Sequence, residues 1–328
     1  MNFRTRNIHT WMIIEKCKQM DIECTFVVPQ KEDFLALKKN GKTIMINRAI
    51  SPSLRYIPNA ITEDKITCNY ILQQNGFPIP PFIFIDQVDD SALDFLSTHS
   101  VIVAKPFDTN KGVEIHMNIV DPYQLESAVS HIKSVSQKAI LQKQAKGRDY
   151  RILLINHEVV GVLWNEWPFI TGNGENSISE LIEIENHKRF NTKVDVYGKQ
   201  TEMLVEISED SAAELLKSNG YSIDDILPYQ EKRYVGNCGN GWSGALAHDV
   251  TDDINPQIIK KAIEITRFLD IDVAGLDIRC EDITLPYEQS DFNVIEVNTR
   301  PSIVDHEFPT SGKPRNVTEI YLNYLFTE

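Results

Sequence analysis

The sequence predicts a mixed α/β (α+β) protein folded into more than one lobe. Three features carry that expectation. Short apolar runs such as FIFID (82–86), VIVAKP (101–106) and AILQKQ (139–144) have the length and composition of strands. Other segments repeat their apolar residues at helical spacing, most clearly over 255–269, where Ile258, Ala262, Ile265 and Phe268 share one face. Two strand-like runs, 150–155 and 159–164, are joined around Asn156-His157 and read as a hairpin. Helices and strands mixed with antiparallel turns point to a compact multi-lobed enzyme rather than a bundle or a repeat array.

In chain order, 9–20 fits a helix, 24–29 a short buried strand and 43–46 another. This stretch, up to about Pro58, reads as a small α/β unit. Thr62 stands ahead of Glu63-Asp64-Lys65 as the expected N-cap of a helix running to Gly76, and Phe77-Pro-Ile-Pro-Pro81 is a rigid extended link. After strand 82–86 come a helix over 91–98 and strand 101–106. A polar turn, Asp108-Thr-Asn-Lys-Gly112, leads into an alternating strand over 113–119. Helix 121–135, strand 139–144 and the turn Lys146-Gly-Arg-Asp149 precede the hairpin. Polar helices are expected at 178–190 and 211–218, and glycines cluster at Gly236, Gly239, Gly241 and Gly244. Beyond helix 255–269, VAGLDIR (273–279) and FNVIEVN (292–298) read as strands, and 317–326 as a last helix. No internal repeat or low-complexity tract interrupts the pattern.

The 328 residues carry 33 Lys and Arg against 47 Asp and Glu, a formal net charge of −14. With 42% hydrophobic and 24% charged residues the composition is globular. The acidity argues against a nucleic-acid-coating surface and against an anionic membrane as partner. Five scattered cysteines (Cys17, Cys24, Cys68, Cys238, Cys280) form no C-x-x-C pair, so neither a disulfide framework nor a zinc site is expected, and a cytoplasmic home is. No apolar run reaches the ~20 residues a membrane-spanning helix needs.

Chemistry concentrates on the last two strands. Asp277 lies on one; Glu296 and Asn298 lie on the other, two residues apart and therefore on one face. Their neighbours Val273, Leu276, Ile278, Val294, Ile295 and Val297 are apolar. Ionised carboxylates in apolar strands need partners, and hard oxygen ligands suit Mg²⁺, which takes one or two carboxylates plus substrate phosphates. The alternative is a solvent-facing side with ordinary exposed acids. Lys105 at a strand end and Lys65 at a helix start could meet phosphate or could be surface lysines. Walker A, serine-elbow and paired-histidine metal motifs are absent. Trp164, Trp167 and Trp242 are expected to pack rather than to serve a site.

Taken together, the segments resemble an ATP-grasp enzyme, in particular the ATP-grasp part of cyanophycin synthetase and the ligase domain of bifunctional glutathione synthetases. The resemblance covers roughly residues 60–326. It is carried in order by Thr62-Glu-Asp-Lys65 with Gly76-Phe-Pro-Ile-Pro80, Val103-Ala-Lys-Pro106, Gly147-Arg-Asp-Tyr-Arg-Ile-Leu153, and Ile170-Thr-Gly-Asn-Gly174 with Ile178-Ser-Glu-Leu-Ile182. Asp249-Val-Thr-Asp252, Ala274-Gly-Leu-Asp277, Ile295-Glu-Val-Asn298, and His306 with Gly312-Lys-Pro-Arg315 complete it. The resemblance implies an ATP-grasp fold with a small N-terminal α/β domain (1–60), a linker helix and start of the grasp (61–100), a small subdomain (101–145) and a large one (146–328).

It further implies a ligase that activates a carboxylate with ATP to an acyl phosphate, which an amine then attacks to leave an amide. Lys65 and Lys105 would contact ATP phosphates, Gln142 and the backbone of Lys143 and Ala145 the adenine, and Asp149 the ribose. Asp277, Glu296 and Asn298 would coordinate two Mg²⁺ ions, with Mn²⁺ as a substitute. Arg151 is expected to face phosphate or the substrate carboxylate, or else to form a surface ion pair. Asn240 is expected near the γ-phosphate, and Arg300, Lys313, Arg315 and His306 beside an acidic substrate. Related enzymes are commonly dimers or tetramers, so a homodimer or homotetramer is expected.

The departures are specific. The phosphate turn 108–112 is shorter and poorer in glycine than in cyanophycin synthetase. Gln142 replaces a common glutamate. Gly236 stands where an arginine is expected, leaving Lys232 or Arg233 as its substitute. The resemblance spans one ligase module, so formation of cyanophycin is not expected. The reading is an amide-forming ligase acting on an amino acid or peptide, with a small-molecule or peptide substrate and no nucleic-acid or membrane partner. Its rivals are a ligase that makes ester or amide crosslinks in a ribosomal precursor peptide, and a nucleotide-binding regulator without activity.

Overall fold

The computed structural model describes residues 7–29, 31–107, 115–239 and 241–327. Helix α1 (Ile8–Gln19) starts at Asn7, whose side-chain oxygen accepts from the N–H groups of His9 and Thr10. Beside it, β1 (Glu23–Phe26), β2 (Phe34–Lys39) and β3 (Lys42–Asn47) form an antiparallel sheet. Strand β2 was not expected from its sequence, FLALKK. Its signal is the Asn40-Gly41 turn, with both residues at positive φ (50° and 81°), a hairpin turn geometry. Ile13, Ile14, Cys17, Leu35, Leu37 and Ile46 share one core with Ile155, Val273, Tyr321 and Leu322, so this first unit is packed onto the rest of the chain.

Helices α2 (Tyr56–Glu63) and α3 (Lys65–Gln74) meet at Asp64. Here the expected cap is corrected. Thr62 lies inside α2, donating its hydroxyl to the carbonyls of Pro58 and Asn59, and Asp64 caps α3 by accepting from Ile66 and Thr67 N–H. A preceding helix, invisible as a break in the sequence, consumes the threonine.

A four-stranded antiparallel sheet follows, built from β4 (Phe82–Ile85), β5 (Ile102–Pro106), β6 (His116–Ile119) and β7 (Ala139–Lys143) in the order β4-β7-β5-β6. Helices α4 (Asp90–His99) and α5 (Pro122–Ile132) cover one face, where Ala92, Leu96, Ile102, Ala104, Leu125, Ile132 and Leu141 form a core. Strand alternation leaves Val103, Lys105 and Gln142 on the opposite face. The turn 108–112 lies outside the described residues.

The chain leaves this sheet through residues 144–147. Gly147 has φ +90°, and a Cβ there would fall 2.1 Å from the Cys280 carbonyl oxygen, so no other residue fits. Strands β8 (Arg148–Ile155) and β9 (Glu158–Glu166) make the expected hairpin, with Asn156 and His157 both at positive φ. An excursion carries β10 (Phe169–Thr171), α6 (Ile178–Asn191), β11 (Lys193–Val196), β12 (Lys199–Glu202), α7 (Glu209–Ser218) and β13 (Lys232–Tyr234). Its own core joins Ile170, Ile178, Ile182, Leu216 and Val235, and a Ser177–Glu180 capping box opens α6.

Strand β14 (Leu246–Asp249), helix α8 (Pro256–Phe268), and strands β15 (Val273–Cys280) and β16 (Asn293–Asn298) complete a five-stranded antiparallel sheet, order β14-β9-β8-β15-β16. Tyr150, Ile152, Leu154, Ala274, Leu276 and Ile278 face α8 and α3 as the main core. Helices α9 (Val304–Glu307) and α10 (Val317–Phe326) cover one end of the other face. The other end of that face carries the polar side chains described next. No described helix is long and apolar enough to cross a membrane.

Candidate active site

The register of the five-stranded sheet sets two polar rows on one face. Arg151, Asp277 and Glu296 are direct cross-strand neighbours, and so are Asp149 and Arg279. Asn298 pairs with Gly275, one step along β16 from Glu296 on the same face. The expected grouping of Asp277, Glu296 and Asn298 is therefore built by strand pairing, with a bulge after Asp277 that leaves Ile295 unpaired and exposed.

Asp277 is the centre of the first row. Arg151 grips it side-on, Nε to Oδ1 at 2.6 Å and Nη2 to Oδ2 at 3.0 Å, the fork geometry that suits guanidinium and carboxylate. The Asn298 amide donates to Oδ2 at 3.0 Å. Burial nevertheless raises the Asp277 carboxyl to about 6, with Arg151 opposing and Glu296 reinforcing the rise. Lys65, from the first turn of α3, reaches Glu296 at 3.1 Å. Lys105, from the small sheet, donates to Gln142 Oε1 at 2.9 Å. Burial and the neighbouring Lys65 ammonium lower Lys105 to about 8, while Glu296 pulls the other way. Five elements, α3, β5, β8, β15 and β16, thus bring two ammonium groups, a guanidinium, two carboxylates and an amide into electrostatic contact.

The second row is tighter. Asp149 accepts from Arg279 Nε at 2.7 Å, Arg279 Nη2 at 2.9 Å and Trp167 Nε1. The Arg279 guanidinium lies 5.4 Å from the Trp167 ring. Gly239 presses on this group. A Cβ there would come within 2.7 Å of Asp149 Cβ and 3.1 Å of Asn165 Cβ. Trp167 packs edge-on against Tyr234, and its indole N–H also joins this group, as does Arg279, which carries no local signal in the sequence.

The remaining candidates scatter. Lys143 ion-pairs with Asp291 at 3.2 Å, and Ala145 is buried on the crossing to β8. Gln142 also donates to Pro80 O, at 3.3 Å. Arg300 pairs with Glu63 on the exposed rim beside the α2–α3 junction. Arg315 is locked between Asp249 and Asp252, and Lys313 also binds Asp252. His306 is fully buried and lowered to about 3 by that burial, so it is neutral and cannot hold an acidic substrate by charge. Of the two substitutes for the missing arginine, Arg233 turns to Glu231 and Tyr221, whereas Lys232 turns to Glu166 over the Phe169 ring. Asn240, like the side chain of Trp242, lies outside the description.

Asp277, Glu296 and Asn298 offer two carboxylates and an amide oxygen. Among the described residues no three His, Cys, Asp or Glu side chains converge as a closed metal cage. Such a donor set fits a hard cation that completes its shell with ligand phosphates.

No protein-family model matches the chain. It is 32% identical over 266 residues to the cyanophycin synthetase of Trichormus variabilis, covering 80% of this chain and 29% of that protein. It is 29% identical over 304 residues to the glutathione biosynthesis bifunctional protein of Clostridium perfringens, covering 92% of this chain and 39% of that one. The chain thus spans well under half the length of these curated relatives. Its structure superposes on that of a bifunctional glutathione synthetase from Pasteurella multocida with a TM-score of 0.71 at 23% identity, over 97% of this chain and 44% of the other. The chain is a relative of cyanophycin synthetase and of bifunctional glutathione synthetase, built on the ATP-grasp fold.

Proposed function

We propose that the chain is an ATP-dependent carboxylate–amine ligase, forming an amide bond through an acyl phosphate on an amino acid or peptide. The observation that carries this reading is the meeting of Lys65, Lys105 and Arg151 with Asp277, Glu296 and Asn298 over one end of the five-stranded sheet. Phosphoryl transfer asks a protein for charge neutralisation and alignment rather than covalent help, and that is what these groups can give. Asp277, Glu296 and Asn298 would hold Mg²⁺, two ions in the full proposal with Mn²⁺ as a substitute, supplying charge neutralisation at the β- and γ-phosphates. Lys105, oriented by Gln142, would meet the nucleotide phosphates from the small sheet and Lys65 from the start of α3. Arg151, one strand over from Asp277 and paired with it, would hold the transferred phosphoryl group or the substrate carboxylate. Lys143 ends β7 and Ala145 lies on the crossing between the sheets, and their backbone would meet the adenine there. Arg300, at the rim, would meet the acidic substrate. The proposal includes a cytoplasmic protein acting as a homodimer or homotetramer.

The test supplies purified protein with Mg-ATP and pools of amino acids, dipeptides and peptides, following phosphate release and product mass. The expected result is substrate-dependent ADP formation and a product lighter by one water than its two parts. ATP binding without turnover in every pool would overturn the ligase reading.

A further inference from the structure

The Asp149–Arg279–Trp167 group has no role in the mechanism above. Its geometry says which of its members can reach a ligand. Both Asp149 oxygens are committed, to two Arg279 nitrogens and to the indole N–H, and the Gly239 backbone closes against the same carboxylate. An aspartate so enclosed has little capacity left to accept from ribose hydroxyls. Arg279 has the opposite balance. A guanidinium carries five N–H donors in a rigid fork; the pair with Asp149 uses the Nε and Nη2 side, which leaves the Nη1 donors. Asp149 and Trp167 hold that fork in a fixed plane on the site's own face, the arrangement in which an arginine loses least freedom on binding an oxyanion.

Position gives the ligand class. Strand β8 begins at Arg148, just past the crossing residues 144–147. Asp149–Arg279 is the first polar row after it, and Arg151–Asp277–Glu296 the second, about 7 Å further along the strands. A nucleotide with its base at the crossing and its terminal phosphates at the second row passes the first row at the join of ribose and phosphate chain. We propose that Arg279 is a nucleotide-binding residue contacting the phosphate nearest the ribose, and that Asp149 is a positioning residue acting through Arg279. This rests on the ATP reading above and replaces the ribose contact expected of Asp149.

Equilibrium titrations of ATP, ADP, AMP and adenosine by calorimetry separate the possibilities. Arg279→Met is expected to weaken AMP, ADP and ATP each by about 10–100-fold, the size of a charge-assisted hydrogen bond, and to leave adenosine unchanged. Asp149→Asn should show the same phosphate-dependent pattern with a smaller loss. Arg279→Lys, which keeps the charge without the fork, should fall between wild type and Arg279→Met, and replaces the methionine variant should that one fail to fold by circular dichroism. Loss of adenosine affinity in Asp149→Asn, with Arg279 variants at wild-type affinity for AMP, would overturn the proposal in favour of a direct ribose contact. A wild-type protein that binds none of the four would overturn the ATP reading itself, a result separate from failure of the Arg279 assignment.

Discussion

The two sheets that supply the site treat charge in opposite ways. On the five-stranded sheet every central charge already has a protein partner: Arg151 with Asp277, Lys65 with Glu296, Arg279 with Asp149. On the four-stranded sheet Lys105 has only the neutral Gln142 amide and, among the described residues, no ion-pair partner. The large sheet is internally neutralised, and a ligand at Asp277 or Glu296 must exchange places with Arg151 or Lys65. The small sheet offers a cation without an ion-pair partner among the described residues, whose protonation burial makes costly and Glu296 only partly offsets, so an arriving polyanion relieves rather than disturbs it.

The largest predicted effect attacks the neutralised side. Glu296→Gln should cost about 10²–10³-fold in Mg²⁺-dependent turnover, the scale of losing a key electrostatic group, with an unchanged circular dichroism spectrum. Near-normal turnover would discard Glu296 as a metal ligand. Next, Lys105→Met should weaken ATP binding by about 10–100-fold in a calorimetric titration. Affinity equal to wild type would place the phosphates elsewhere.

A third test uses pH. Lys105 titrates near 8, below its ordinary 10.5, so it is charged at pH 7 and loses its charge as pH rises through 8. ATP affinity should decline above that point, and Lys105→Arg, which stays protonated, should flatten the profile. The stability linkage has the other sign. Between about 8 and 10.5 the unfolded chain holds more protons than the folded one at this lysine, so its contribution to stability rises with pH there. The smallest effect is at the rim. Arg300 and Glu63 have side chains 66% and 54% exposed, so a double-mutant cycle on unfolding should give a coupling of about 0.5 kcal/mol or less. A clear fall in turnover for Arg300→Ala at unchanged stability would assign the residue to substrate rather than to the pair.

What could be read from sequence follows the same divide. Asp277, Glu296 and Asn298 were legible because alternation along an apolar strand fixes which residues share a face. Lys105 was legible as a strand end. Arg279 was not, since its partner Asp149 is 130 residues away and an arginine in a strand carries no local mark of its pairing. Trp167 packs as its sequence suggests, while its indole hydrogen bond to Asp149 carries no local mark because it depends on the β8–β9 register. Thr62 and Asp64 are equally good caps, and only the hidden end of α2 decides between them. The two lysines of β2 mask its half-buried pattern, whose mark in the sequence is the Asn40-Gly41 turn.

Gly147 also has a mechanical consequence. Wedged against the Cys280 carbonyl in a conformation other residues resist, it pins the start of β8 to the end of β15. A side chain at 147 would have to push the Cys280 carbonyl aside, and with it the strand that carries Asp277 and Arg279, so it would disturb the site even with every charged group intact.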